Sequence, residues 1–430
     1  MDNKSRRTCV SKIDILFPED ISKNLETDLR IILNSNAPII EITINERQFY
    51  LKDRARIAFR ELFKVLVSSF EAKSVINDDI YVELKYVYAH FLSISTKPSV
   101  DAFLKRLEVN LESIKKNLNF LIPIEGIELE DDLDLMIGDI VINKKNAKFM
   151  DQFEIEKDHL KDSLIKTYDS HKYWAKVSVY GSENYVDSLV VYRVQHYLSI
   201  FLIHITSCYI TGFMNSRVRI LLDNMDGYSL RKKLSWEDGL PKSIGYRVTF
   251  GTLSTLKIDH TMIDVFKESA FSILLPSIID KIDKNEIESA ICRCLYWFGE
   301  AYKEPVLGMK FLKLWSCIEC FFSIDKKQVT AANALGVATV LKVLENIDTD
   351  LPAITIQFSD YKKNAEKFYD LRSDIIHNAN YSHIQVDDVE QLSKWVVKVL
   401  YVMLFYVSEK LITLSEVKKR IEASAKKYAN

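Results

Sequence analysis

An arginine and a histidine lie five positions apart near the end of a predicted helix, at Arg372 and His377. A histidine can take the proton of a ribose 2′-OH, and a guanidinium can stabilise charge on the neighbouring phosphate. The two residue types therefore fit cleavage of an RNA phosphodiester. Arginines that reach out from a helix and histidines near a helix C-terminus are also common in structural positions, so the spacing alone leaves a structural role open.

The apolar residues of this helix show which way Arg372 points. They recur with helical spacing at Tyr361, Ala365, Phe368, Leu371 and Ile375. Arg372 follows Phe368 by four residues and therefore lies on or beside the inward face. A guanidinium there needs a carboxylate or another anion as its partner.

The end of the helix should place the histidine. Five residues along an unbroken helix correspond to a rotation of about 140°, and residues 378–382 (NANYS) predict a helix end. We therefore expect His377 at the C-terminal end, with its side chain turned back toward Arg372. We also expect Ser373, Asp374 and Asn378 to orient the pair by hydrogen bonds.

The wider pattern predicts an α+β chain that ends in an all-α bundle. We expect a mainly helical region at 1–115, an α+β region at 116–280, a helical bundle at 281–412 and a basic tail at 413–430. Five amphipathic stripes separated by short loops predict antiparallel helices in the bundle. Upstream, we expect strands at 38–44, 173–180, 217–222 and 245–250, and helices at 55–70, 100–118 and 183–210. The basic triplet at 231–233 is typical of a surface loop.

Composition is that of an ordinary globular protein and gives no electrostatic signal for nucleic acid or membrane. The chain has 430 residues, 48% apolar and 27% charged, with a formal net charge of −2. The N-terminus is polar, so we expect no signal peptide. Residues 197–214 are the best transmembrane candidate, but their polar side chains favour a buried helix. Six cysteines without secretory features favour free thiols and a cytoplasmic location without membrane association.

Two groups of residues contain side chains that can bind metal ions. The acidic cluster comprises Glu125, Glu128, Glu130, Asp131, Asp132 and Asp134, without a histidine or cysteine. A solvated turn explains it better than a metal site does. Cys292, Cys294, Cys317 and Cys320 match a four-thiolate zinc site in number, but the first two point about 200° apart on a helix. Buried free thiols are therefore favoured, and no metal or cofactor is expected.

Residues 369–378 (YDLRSDIIHN) resemble the RX4-6H motif of HEPN ribonuclease domains, in the form found in the Apea-like HEPN family. Residues 310–322 resemble that family's second helix, which carries an aromatic residue and a glutamate, here Glu319, before the next loop. Residues 288–302 resemble the preceding helix. The resemblance covers roughly residues 285–410. In this chain Ser373 directly follows the arginine, where catalytic members often have Asn, Asp or His.

The resemblance implies a metal-independent endoribonuclease that leaves a 2′,3′-cyclic phosphate. Arg372 and His377 would form the catalytic pair, and a homodimer of bundles would place two such pairs in one cleft. It also implies a toxin-like effector of bacterial antiphage (abortive infection) defence. Its partners would be RNA and a phage-derived trigger or regulatory partner, sensed by the N-terminal region.

A non-catalytic role is the main alternative. Residues 285–410 contain 14 Lys or Arg against 17 Asp or Glu, a net charge of −3. A general nucleic-acid binder is expected to be basic. The bundle could instead bind RNA, a nucleotide or a partner protein through the same cleft, and a purely structural role in oligomerisation is the third alternative.

Overall fold

The chain combines strands and helices in its first part with an all-helical C-terminal region. The computed structural model describes residues 3–20, 23–27, 39–70, 74–146, 148–149, 158–208, 219–220, 230–235, 245–250, 255–304, 306–323, 329–347, 356–381 and 383–428. All strands within these ranges precede residue 259, and only helices follow. The predicted α+β class with a helical C-terminal region is therefore confirmed.

The helices, numbered along the chain, are α1 (Asn3–Leu16), α2 (Asp53–Phe70), α3 (Asn77–Ser93), α4 (Val100–Ser113), α5 (Asp158–Asp169), α6 (Glu183–Cys208), α7 (His260–Lys267), α8 (Ala270–Asp280), α9 (Glu286–Lys303), α10 (Leu307–Phe322), α11 (Val329–Ile347), α12 (Phe358–Asn378), α13 (Val386–Ser408) and α14 (Leu414–Tyr428). The basic tail expected after residue 412 therefore forms a helix. Its inward residues Val417 and Ile421 are buried.

The strands are β1 (Leu25–Glu26), β2 (Glu41–Ile44), β3 (Arg47–Leu51), β4 (Lys116–Glu125), β5 (Ile127–Leu129), β6 (Leu135–Ile137), β7 (Ile140–Lys144), β8 (Tyr173–Gly181), β9 (Arg219–Ile220), β10 (Leu230–Ser235), β11 (Gly245–Phe250) and β12 (Leu256–Ile258). They form four sheets, in the orders β1-β3-β2, β6-β7-β8-β4-β9, β10-β11 and β12-β5. The last pair is parallel, with Leu256 opposite Ile127.

Several predicted bounds differ from the structure. The helix expected at 100–118 ends at Ser113, because the apolar residues Leu118, Phe120, Ile122 and Ile124 alternate and form β4. The basic triplet expected in a surface loop lies in β10, paired antiparallel with β11. Residue 38 of the first expected strand, residues 209–214 of the apolar segment, and residues 217–218 and 221–222 lie outside the described residues.

The chain divides into two compact units, residues 1–119 with 178–190 and residues 120–177 with 191–430. The first unit packs α1 to α4 and the three-stranded sheet around one core. Aromatic rings make edge-to-face contacts there, between Phe17 and both Tyr88 and Phe103 and between Phe59 and Tyr88. All of them except Phe17 are fully buried. Such aromatic contacts add to the stabilisation that burial alone provides.

Helix α6 contains a long apolar stretch. It is long and apolar enough to cross a membrane, yet 78% of its most apolar stretch is buried inside the protein. The expectation of a buried helix agrees with this burial. Polar contacts fix the helix within the second unit: Arg193 pairs with Asp139 at 2.8 Å and with Asp280 at 2.9 Å, and Tyr197 donates to Asp280 at 2.7 Å.

The C-terminal helices of the second unit pack as a bundle around α13. One face of α13 is buried over its whole length, including Leu392, Val396, Val399 and Met403. This is the stripe expected of a core helix. Helix α9 begins at a capping box, in which Asn285 accepts from the backbone N–H of Glu288 and the Glu288 carboxylate accepts from that of Asn285.

Candidate active site at the end of α12

Helices α10 and α12 pack through two aromatic pairs that lead to the polar site. The rings of Phe311 and Phe368 lie 5.4 Å apart, and those of Trp315 and Tyr369 lie 6.1 Å apart, both edge to face. The contacts ascend along both helices, so α10 and α12 run in the same direction. The next position on α10 with helical spacing is Glu319.

Arg372 meets its partner at that next position. Its Nη2 lies 3.2 Å from Oε1 of Glu319, and both side chains are mostly buried, with exposed fractions of 23% and 20%. The guanidinium also lies 5.8 Å from the centre of the Tyr369 ring, at cation–π distance. No described residue accepts a hydrogen bond from the other guanidinium nitrogens. The carboxylate therefore fixes the arginine while leaving donors available to a ligand.

His377 lies in the last turn of α12 and is exposed. The helix continues unbroken from Arg372 to Asn378 and ends at Ala379, which adopts the left-handed conformation with φ 50°. No described residue forms a hydrogen bond or ion pair with the imidazole. With both residues in one helix, ideal geometry sets the Arg372 and His377 positions about 140° apart around the axis.

The three residues expected to orient the pair behave differently from one another. Asp374 accepts from Nδ2 of Asn378 at 2.7 Å and from Nδ2 of Asn380 at 2.8 Å, which ties down the helix end. Ser373 is half-buried. Among the described residues, none of the three hydrogen-bonds to Arg372 or His377. Residue 382, which belongs to the expected helix stop, lies outside the described part of the chain.

The residues weighed as metal sites are engaged elsewhere. In the acidic cluster, Glu128 pairs with Lys172 at 3.5 Å and Asp131 with Lys144 at 3.1 Å. All six cysteines are free thiols. Within the described residues no group of three or more His, Cys, Asp or Glu side chains is arranged to hold a metal ion.

Burial makes the bundle thiols poor nucleophiles. Burial raises the pKa of the Cys292 thiol to about 11 and that of the Cys320 thiol to about 12. Cys317 is fully buried, and its pKa is raised well above its ordinary value by burial and by the neighbouring Cys294. Because the thiolate is the reactive form, these cysteines should stay inert near neutral pH.

A second polar pair was missed at the level of sequence. His204 and Cys208 lie one turn apart at the end of α6, with Sγ of Cys208 3.6 Å from Nε2 of His204. The spacing of four residues would have placed them on one helix face. In the sequence, this segment is recognised only as an apolar run. Its polar side chains were used there as an argument against a membrane-spanning helix.

Comparisons with known proteins give no basis for interpreting the fold or these sites, so the interpretation depends on their geometry. Neither the protein-family models, nor the curated proteins, nor the solved structures contain a match to this chain. What is established is a mixed α+β chain whose C-terminal helices carry an Arg–Glu pair and an exposed histidine on one helix end.

Proposed function

We propose that the C-terminal bundle is a HEPN domain and acts as a metal-independent endoribonuclease. The observation that carries the proposal is the guanidinium of Arg372. It is held by Glu319 and Tyr369 on the inward edge of α12, with donors left for a phosphate. His377 follows in the motif order, about 1.4 turns later on the same helix and open to solvent.

The reaction uses only these two side chains and the RNA. The imidazole of His377 takes the proton of a ribose 2′-OH, and the 2′-oxygen attacks the adjacent phosphorus. The bond from phosphorus to the 5′-oxygen breaks, and the imidazolium gives its proton to the departing 5′-oxygen. The Arg372 guanidinium stabilises the charge that develops on the non-bridging oxygens. The products are a 2′,3′-cyclic phosphate and a free 5′-OH.

A dimer explains how side chains on different faces of one helix serve a single phosphate. A second copy facing the end of α12 would bring the histidine of one chain toward the arginine of the other. Apolar side chains around that end are exposed, with exposed fractions of 47% for Ile376, 42% for Tyr381 and 48% for Val386. Exposed apolar residues grouped in this way are typical of interaction surfaces.

In the cell, the proposed role is that of a toxin-like effector in antiphage defence, located in the cytoplasm. The N-terminal region would respond to a phage-derived trigger or a regulatory partner. The net charge of −3 over residues 285–410 favours a narrow site over a broad RNA-binding face.

Cleavage of end-labelled RNA by the purified protein in EDTA tests this function. His377→Ala should slow cleavage at least about 100-fold, as expected for loss of a general base, and Arg372→Ala should do likewise. His383→Ala is the matched control, because it is an exposed histidine six residues farther on and outside the motif. Equal cleavage by His377→Ala and the unaltered protein would contradict the assignment of a HEPN ribonuclease.

A non-catalytic HEPN module is the second candidate, favoured by the acidic bundle and by Ser373 directly after the arginine. This candidate predicts RNA, nucleotide or protein binding that Arg372→Ala abolishes, without cleavage of any RNA. Filter binding with the same labelled RNAs separates the two, since only the enzyme shortens them.

A further inference from the structure

A groove in the second unit brings an exposed thiol and a buried imidazole together. The groove has a volume of ≈ 500 Å³ and is formed by the end of α6 with residues of α8, α11 and α13 and the α7–α8 turn. Small-molecule sites typically measure about 300–1,000 Å³. Its walls are mainly apolar and include Phe271, Leu344, Val397 and Tyr401.

Cys208 and His204 both line this groove. Sγ of Cys208 lies 3.6 Å from Nε2 and 3.9 Å from Nδ1 of His204, within hydrogen-bonding range for sulfur. Cys208 is exposed, whereas His204 retains only 3% of its surface exposed. The thiol is therefore open to a ligand, and the imidazole reaches it from within the protein.

The other buried histidine of α6 shows how a structural histidine is satisfied. His196 has Nδ1 2.8 Å from the carbonyl oxygen of Tyr192 and Nε2 2.9 Å from that of Cys292. Among the described residues, the imidazole of His204 has no hydrogen-bond partner other than the Cys208 thiol. Buried polar groups are normally satisfied by the fold, so a ring committed only to an accessible thiol indicates reactivity.

We propose that Cys208 and His204 form a nucleophilic thiol site that accepts an acyl group from an apolar thioester. The Cys208 sulfur attacks the thioester carbonyl while His204 takes the thiol proton. The bond between the carbonyl carbon and the leaving sulfur breaks, and His204 returns the proton to the departing thiolate. The products are an S-acyl Cys208 and a free thiol, and no oxidant or reductant is needed.

The surroundings of the pair fit this step. Burial lowers the pKa of His204, which keeps the ring neutral and able to accept a proton at neutral pH. The apolar walls suit an alkyl chain, and a cation, Lys398, and a carboxylate, Glu268, also line the groove. Neither Arg372 nor His377 lines the groove, so the proposed acyl transfer uses different side chains from the proposed ribonuclease reaction.

Mass spectrometry of the intact full-length protein tests the proposal, with decanoyl and acetyl thioesters of N-acetylcysteamine as probes. We expect a single decanoyl adduct, mapped to Cys208 by peptide analysis and absent in Cys208→Ser. Decanoyl transfer should be at least about tenfold faster than acetyl transfer, because the chain is removed from water. Adducts forming equally fast at Cys292 or Cys320, or equal rates with both probes, would overturn the assignment.

His204→Phe separates catalysis by the pair from simple exposure of the thiol. It replaces a buried ring beside Phe266 with another ring, and circular dichroism verifies its fold. Acyl transfer near pH 7 should fall at least about 100-fold. Alkylation by iodoacetamide at pH 9, where hydroxide can remove the thiol proton in place of His204, should change little. If His204→Phe is acylated as fast as the unaltered protein at pH 7, His204 is no general base and the site fails.

Discussion

The contact between Arg372 and Glu319 illustrates how one residue position combines stability with chemistry. A guanidinium beside the apolar stripe of α12 would be costly without a partner. The carboxylate of Glu319 meets only Nη2, at 3.2–3.3 Å, and the ring of Tyr369 covers one face. This arrangement satisfies the charge and fixes its direction without using all of its donors.

Replacing Glu319 should therefore change both the stability of the bundle and the position of the arginine. We expect Glu319→Ala to lower the free energy of unfolding by about 1 kcal/mol, between the values for exposed and buried pairs. In RNA cleavage, kcat should fall about tenfold with little change in KM, since positioning is lost while the guanidinium remains. Urea unfolding and steady-state kinetics measure the two effects.

The double variant Glu319→Ala/Arg372→Ala is the control for the stability effect. If the two side chains interact as described, their separate costs should not add, and the double variant should be about 1 kcal/mol more stable than their sum predicts. Additive costs would show that the pair contributes nothing to folding.

At the level of elements, close helix packing depends on a residue without a side chain. Gly336 of α11 is buried against Phe322 at the end of α10. A Cβ at this position would lie 2.6 Å from Cγ of the phenylalanine ring and 2.7 Å from two further ring atoms. Such distances are well inside van der Waals contact, and the ring is nearly fully buried, with 5% of its surface exposed.

Gly336→Ala should destabilise the second unit although alanine is the better helix former. The helix propensity gains about 1 kcal/mol, but overpacking a filled core costs about 1–3 kcal/mol. The cost should fall in a Phe322→Leu background, where the ring is absent. Thermal unfolding followed by tryptophan fluorescence measures the cost of Gly336→Ala in both backgrounds. All five tryptophans lie in the second unit, residues 120–177 and 191–430. A higher melting temperature for Gly336→Ala would contradict this packing.

The sequence predicted those elements whose apolar pattern repeats several times, for a physical reason. Long helices repeat their apolar stripe several times, as Phe368, Leu371 and Ile375 do on α12, and this repetition identifies them. The start of β4 was missed because residues 114–118 fit a helical stripe as well as an alternating one. The strand position of 231–233 depends on its pairing with β11, which local composition does not encode.

The candidate site was partly predictable for similar reasons. The inward position of Arg372 followed from the apolar stripe, and the end of α12 followed from the polar residues after His377. Glu319 was singled out only through the resemblance to HEPN domains, and its contact with Arg372 was not predicted, since it joins residues 53 positions apart. The contact of Arg372 with the Tyr369 ring and the Cys208–His204 pair depend on side-chain directions within packed helices, which spacing restricts but does not determine.

For the second unit as a whole, titratable groups at different depths should give two separate steps of acid destabilisation. Burial lowers the pKa of His196, against the opposing effect of its two carbonyl partners, and burial also lowers that of His204. Burial alone would raise the pKa of Glu300, but hydrogen bonds and charges from Lys303, Gln195 and Lys313 bring it below its ordinary value.

The sign of each step follows from which state binds the proton. Just below the ordinary histidine pKa of 6.5, the two imidazoles bind protons in the unfolded chain but stay neutral in the folded protein. The free energy of unfolding therefore decreases as the pH falls through that value. The carboxylate contribution is present above 4.5 and is lost as the pH falls through the lowered pKa of Glu300. The histidine step should therefore come first during acidification.

Urea unfolding followed by tryptophan fluorescence from pH 7.5 to 4 should resolve the histidine step. Each buried histidine adds at most about 1.4 kcal/mol per pH unit to the slope of the free energy of unfolding against pH. His204→Phe should make the slope between pH 7 and the folded-state pKa shallower by one such contribution, because one ring no longer takes up a proton on unfolding. The carboxylate step should remain, since Glu300 and its lysines are unchanged. An unaltered slope in His204→Phe would mean that this ring has the same pKa in the folded and the unfolded protein, which would contradict the effect of its burial.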